Sequence, residues 1–160
     1  GDEFTNDIID YMKRKHNILI GERTAEQIKI NVGAAIADIT DQPPKYAVNG
    51  RDMLTGIPKQ VFTTHVEISE ALDKSIAKIE EAVLKALEDT PPELSSDIYR
   101  TGIYLTGGGA LLRGLDRRMA AKTKLNVHIA DDPLRAVVRG TGLALKNSHR
   151  YSFLMDRKSI

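Results

Sequence analysis

Apolar positions recur every three or four residues over three stretches of the chain, a spacing that gathers them on one side of a helix. The first stretch, Phe4, Ile8, Ile9 and Met12, predicts a helix capped by Asp2 or Thr5. Lys13, Arg14 and Lys15 lie at its end, where cations meet the negative pole of the helix. Asn17 breaks the pattern, and Ile18 to Ile20 lead into Gly21. In the second stretch Thr24 and Gln27 have capping-box spacing, Ala25, Ile28 and Val32 form the buried stripe, and Gly33 is the stop. The third runs from about Glu67 to Leu87, with Ile68, Leu72, Ile76, Ile79, Val83 and Leu87 as its buried side.

Residues 38 to 65 have a different character. Pro43-Pro44, Asn49-Gly50, Thr55-Gly56 and Pro58 punctuate short strand-like segments at Tyr46 to Val48 and Gln60 to Thr63, the signature of a small antiparallel hairpin or meander. Beyond Thr90-Pro91-Pro92-Glu93, where Pro91 or Pro92 opens a short helix through Leu94 and Ile98, the order becomes α/β. A strand over 102–106, a glycine turn, a helix from about 111 to 121 and a strand at Asn126 to Ile129 follow one another. The loop Asp131-Asp132-Pro133 and a helix over 134–146 come next, and Tyr151 to Ile160 form a tail or contact segment. Two strands joined by such a crossover pair in parallel, and open sheets of this kind bind ligands beyond the carboxyl ends of their strands.

Composition narrows the function. Lys plus Arg (23) barely exceed Asp plus Glu (22), so the formal charge of +1 gives no electrostatic case for nucleic acid. The absence of cysteine excludes disulfides, thiol catalysis and thiolate metal sites. No apolar run approaches the roughly 18 residues a membrane span needs, and Gly1-Asp2-Glu3 is unlike a signal peptide. The chain opens directly on a helical pattern without an initiator Met, which suggests a piece of something longer.

Gly107-Gly108-Gly109 is the most informative run. It stands where a strand hands over to a helix, and it removes every Cβ from one face of the backbone, so a base or ribose can rest directly against the main chain. The same run also serves as a plain tight turn. It matches neither GxxxxGK[ST] nor GxGxxG, which leaves P-loop and dinucleotide fingerprints aside. Glu26 and Lys29, three apart on the second helix, offer complementary chemistry. A carboxylate accepts from a ribose hydroxyl or an adenine amine, and lysine methylenes can lie along a base. Alternatively the pair is a solvated helix face, worth about 0.2 to 0.5 kcal/mol to the helix.

Other constellations carry less. Gly140-Thr141-Gly142 interrupts an apolar helix, for close packing against the glycine turn, and Asp131 and Asp132 read as caps of the helix that Pro133 begins. His16, His65, His128 and His149 share no ligand spacing, and Ser69, Ser75, Ser95 and Ser96 lack a GxSxG setting, so neither a metal site nor a catalytic residue is assigned.

Several separated strings together resemble the second half of the MreB family of bacterial actin homologues, the rod-shape-determining proteins. They are Gly1-Asp2-Glu3-Phe4, Ile20 to Lys29, Thr90 to Ile98, Leu105 to Leu115 and Asp132-Pro133-Leu134. The resemblance runs to about Asn147. It implies part of an actin-like ATPase fold: a small α+β subdomain at 1–62, a lower α/β subdomain with mostly parallel sheet at 63–148, and a tail at 149–160. It implies adenosine contacts from Glu26, Gln27, Ile28 and Lys29 on one wall and Gly108, Gly109, Ala110 and Leu111 on the other. The cofactor it implies is ATP or ADP with Mg²⁺ in a full-length parent, with weak or absent binding by this chain alone.

The family's phosphate-gripping hairpins, its water-positioning carboxylate and its membrane-binding region would lie before Gly1, so this chain alone should not hydrolyse ATP. For the parent, the resemblance implies a cytoplasmic, membrane-associated protein. It would self-associate into filaments and work with the cell-wall elongation machinery at the inner membrane to direct cell shape. Two alternatives compete: the chaperone or sugar-kinase branch of the same fold, against which the Ile20 to Lys29 string argues, and a structural interaction module that binds no nucleotide.

Overall fold

In the structure, a computed structural model that describes residues 2–130, the first apolar stripe folds as helix α1, Asp2–His16, burying Phe4, Ile8 and Met12 with Tyr11 beside them. Thr5 lies inside this helix and does not cap it. Asn17 ends it as expected, taking a positive φ of 52° while its N–H donates to the Lys13 carbonyl at 3.1 Å. The chain then makes a short strand β1, Ile18–Leu19, and turns at Gly21 into α2, Glu22–Val32. This helix begins two residues before the capping-box position, and no side chain caps it. Extended Gly21 supplies the first carbonyl and Glu22 meets the positive helix end instead. Ala25, Ile28 and Val32 are buried, and Gly33 closes the helix through an N–H bond to the Lys29 carbonyl at 2.9 Å.

The punctuated region is a hairpin of β2, Tyr46–Asp52, and β3, Pro58–Thr63, and β1 joins it to give an antiparallel sheet ordered β1-β2-β3. The turn falls at 53–57, with Gly56 at φ 77°. Asn49-Gly50, a turn signal in the sequence, instead lies in the middle of β2 opposite Gln60 and Lys59. Gly50 has a packing reason to be there. A Cβ at this position would stand 2.4 Å from the Leu19 carbonyl oxygen and 2.8 Å from the Ile18 side chain, so only glycine lets β1 approach β2.

Helix α3, His65–Glu88, is the long periodic segment. Ile68, Leu72 and Ile76 are fully buried, each worth about 1.5–3 kcal/mol of transfer free energy, and Val83 is buried farther along. Polar contacts tie its first turns to α1: His16 Nε2 donates to Glu67 at 3.1 Å, the Tyr11 hydroxyl to Glu70 at 3.4 Å, and Ser75 to Asp7. Helix α4, Pro92–Thr101, starts with proline in its first turn, where a missing N–H is harmless, and it buries none of its residues. Gly102 at φ 86° then leads into β4, Ile103–Leu105. A 3-10 turn over Gly108–Leu111 and helix α5, Leu115–Thr123, connect β4 to β5, Val127–Ile129, and the two strands pair in parallel as the crossover predicts.

The chain divides into two units, with a boundary inside α3. One holds Asp2–Ile76 together with Leu112–Gly114, and the other holds Ala77–Leu111 and the described residues from Leu115 onward. Within the first, Leu112–Gly114 return to the end of α2: Ala34 bridges Arg113, the Ala35 N–H donates to the Arg113 carbonyl at 2.8 Å, and Arg113 Nη1 donates to the Gly33 carbonyl at 3.2 Å. Gly114, at φ 78°, sits where a Cβ would meet the Ile36 side chain at 2.5 Å. This return is why α5 begins at Leu115 and not at the expected 111. The expected Asp131–Pro133 loop, the 134–146 helix with Gly140-Thr141-Gly142, and the tail lie outside the described residues. No helix among the described residues is long and apolar enough to cross a membrane.

Candidate functional site

The α2 residues singled out in the sequence divide by helical position. Ile28 points into the core and is fully buried, whereas Gln27 faces solvent and its backbone carbonyl accepts the Asn31 side-chain amide at 2.8 Å. Glu26 and Lys29 form an ion pair, with Lys29 Nζ 3.1 Å from Glu26 Oε2. This is not the solvated pair that the local sequence allows. The Lys29 side chain is only 8% exposed and that of Glu26 is 41% exposed. The ammonium is also poorly aligned with the carboxylate, so Nζ is buried without a hydrogen-bond acceptor among the described residues. Burying an ammonium with incomplete hydrogen bonding costs free energy, and a ligand acceptor arriving beside it would recover part of that cost.

Glu26 has a second neighbour on the same oxygen. The Thr5 hydroxyl, from α1, donates to Oε2 at 3.3 Å. Nothing in the sequence spacing links Thr5 to Glu26, because the contact is made by packing α1 against α2.

The second group of residues is a backbone feature. Gly107 takes φ 88°, a conformation that glycine alone adopts without strain, and its carbonyl accepts the Ala110 N–H at 3.2 Å. Gly108–Leu111 wind as a tight 3-10 turn. Gly109 and Ala110 are buried, and Leu111 projects outward at 60% exposure. The turn is anchored from behind by its own unit, where Leu105, Leu115 and Met119 are buried and Arg118 pairs with Glu80 of α3 at 2.7 Å.

The histidines do not form a site. His16 and His65 are held separately, the latter donating from Nε2 to the Ala37 carbonyl at 2.9 Å, and His128 stacks on Tyr104 with ring centroids 4.9 Å apart. His149 lies outside the described residues. Among the described residues no group of His, Asp and Glu is arranged to hold a metal ion.

Comparison with known proteins gives a consistent answer. The family model of the MreB/Mbl protein matches residues 1–152. The cell shape-determining protein Mbl of Bacillus cereus is 46% identical over 150 residues, covering 94% of this chain and 44% of the relative. The cell shape-determining protein MreB of Escherichia coli K12 is 46% identical over 146 residues, covering 91% of this chain and 42% of the relative. Among solved structures, MreB5 of Spiroplasma citri bound to AMPPNP superposes with a TM-score of 0.82 at 36% identity, covering 93% of this chain and 44% of that one. The chain thus spans less than half the length of the relatives it matches, and its architecture is part of the actin-like ATPase fold.

Proposed function

The chain belongs to the MreB/Mbl family, and from that premise we propose that it is part of an actin-like, ATP-dependent, filament-forming protein that directs cell shape and cell-wall synthesis. In this reading residues 1–62 are the small subdomain and 63–148 the lower α/β subdomain of one lobe. Glu26, Gln27, Ile28 and Lys29 supply one set of adenosine contacts, and Gly108, Gly109, Ala110 and Leu111 supply a second. Glu26 accepts from ribose or adenine, Lys29 lays its methylenes along the base, Ile28 holds the helix in place from below, and the glycines of the turn supply bare main chain.

The observation that carries the reading is the buried Lys29 ammonium, 3.1 Å from the half-exposed Glu26 carboxylate yet without a well-aligned hydrogen bond among the described residues. A merely structural pair gains nothing from that arrangement. A polar ligand completes it. The AMPPNP held by the Spiroplasma relative is the kind of ligand expected, and in the full-length parent ATP or ADP would bind with Mg²⁺. The metal and phosphate donors belong to other parts of that parent, so the 160-residue chain contributes adenosine contacts and not hydrolysis. The parent self-associates into filaments in the cytoplasm, at the inner membrane, with the cell-wall elongation machinery.

Titrating the isotope-labelled chain with ATP and following amide shifts by NMR tests the site. A dissociation constant of about 1 mM is expected, corresponding to about 4 kcal/mol, with the largest shifts in 26–29 and 107–111. Micromolar affinity would overturn the division of labour, and shifts confined to other segments would overturn the site. In the full-length parent, Glu26→Ala and Gly108→Val should weaken nucleotide binding and abolish polymerisation together. Altered assembly with untouched binding would favour an interaction module instead.

A further inference from the structure

Both polar neighbours of the Glu26 carboxylate converge on one oxygen. Oε2 receives the Thr5 hydroxyl at 3.3 Å and faces the Lys29 ammonium at 3.1 Å, while Oε1 has no partner among the described residues. The Lys29 contact is misaligned and does not fix the carboxylate plane, which leaves Thr5 as the group that does. Thr5 suits the task. It is buried inside α1, and threonine is β-branched, so its hydroxyl has few positions open to it. Glutamate, by contrast, is among the side chains that lose most rotamer freedom when ordered.

We propose that Thr5 is a positioning residue for nucleotide: its hydroxyl pins Oε2 of Glu26 and thereby presents Oε1 to the ribose or adenine of the ligand. The inference rests on the adenosine reading of α2 and adds to it a residue from α1 that touches no ligand. Removing the hydroxyl lets the Glu26 side chain wander before binding, and the ligand must then order it, which lowers affinity without altering the contact made in the end.

The test is the same NMR titration with ATP, run on Thr5→Val, Thr5→Ser, Glu26→Ala and the double variant Thr5→Val/Glu26→Ala, with thermal melting as a check on folding. Thr5→Val is expected to raise the dissociation constant about fivefold, and Thr5→Ser to leave it within about twofold. In the Glu26→Ala background Thr5→Val should add nothing, since the group it positions is gone. A purely structural role would move the melting temperature and act equally in both backgrounds. Should Thr5→Val not fold, Thr5→Ala removes the same hydroxyl and is read in the same way. If Thr5→Val binds as the wild type while Glu26→Ala binds more weakly, the positioning role is wrong and the adenosine reading stands. If Glu26→Ala binds as the wild type, or the wild type shows no ATP-dependent shift, the adenosine reading falls and takes this inference with it.

Discussion

Replacing Arg118 by methionine should destabilise the protein far more than the loss of one ion pair suggests. Arg118 on α5 and Glu80 on α3 are 15% and 8% exposed, and the guanidinium grips one carboxylate oxygen from two nitrogens, Nη2 at 2.7 Å and Nε at 2.8 Å. At 2.7 Å and an effective dielectric near 20 the attraction is about 6 kcal/mol. Desolvating the two ions costs several kcal/mol each, so the intact pair is close to neutral in net stability. Arg118→Met keeps the aliphatic packing but leaves a carboxylate buried without its cation, a loss of about 3 kcal/mol. The double variant Glu80→Leu/Arg118→Met removes both charges and should return to within about 1 kcal/mol of the wild type. Urea unfolding followed by circular dichroism measures all three proteins. A loss below about 1 kcal/mol for Arg118→Met would mean that water reaches Glu80. A double variant as unstable as the single would mean that the side chains, not the charges, matter. The functional readout follows, because α5 comes directly after the glycine turn: Arg118→Met should also blur the ATP-induced shifts of 107–111.

Three further outcomes are expected. Gly50→Ala puts a methyl 2.4 Å from the Leu19 carbonyl, backbone that cannot step aside, and should cost about 2–3 kcal/mol in urea unfolding with loss of the β1–β2 pairing in amide exchange. Burial, reinforced by Glu67 and Glu70, pushes the Tyr11 phenol up to about 12, above the 10.0 of an unfolded chain. Its contribution is therefore complete below pH 10.0 and is lost as the pH rises toward about 12. The wild type should lose stability between about pH 10 and about pH 12 more steeply than Tyr11→Phe. Asp52 is held below the usual carboxylate range by the Thr55 and Leu54 N–H groups, which it accepts at 3.0 and 2.7 Å, with Lys59 assisting. That stabilisation is present above pH 3.8 and fades as the pH falls below it, and Asp52→Ala should speed amide exchange at Leu54 and Thr55 several-fold at neutral pH.

Elements fixed by a run of neighbouring residues were legible in the sequence. The stripe of α2 buries what its period predicts, those of α1 and α3 do so except at Ile9, Ile79 and Leu87, which are only partly buried, and the strand-turn-helix-strand order gave the parallel pairing of β4 with β5. Features fixed by contacts between distant segments were not. Gly50 reads as a turn residue because Asn-Gly favours turns, yet its place is decided by how near β1 comes, and β1 is too short to announce itself. The start of α5 was misplaced for a similar reason, since Leu112–Gly114 are drawn out of helical order by pairing with Ala34, far away in sequence. At the candidate site, the pairing of Glu26 with Lys29 followed from their spacing, but the burial of Lys29 and the reach of Thr5 depend on tertiary packing.

Two charged pairs among the described residues separate structural from functional electrostatics. Glu80 is buried and Arg118 mostly so, and the guanidinium meets one carboxylate oxygen from two aligned nitrogens, Nη2 and Nε. Glu26 and Lys29 have the same charges at nearly the same separation, yet one is buried, the other half exposed, and no hydrogen bond joins them. Packing alone would not retain such a lysine, because an apolar side chain at position 29 would cover the same area without an unsatisfied ammonium. The free energy withheld from folding at this position is available to binding. Lys29→Met turns this into an experiment: it should raise the melting temperature of the free protein and weaken the response to ATP. A variant that melts lower and binds as before would place Lys29 with Arg118 among the structural charges.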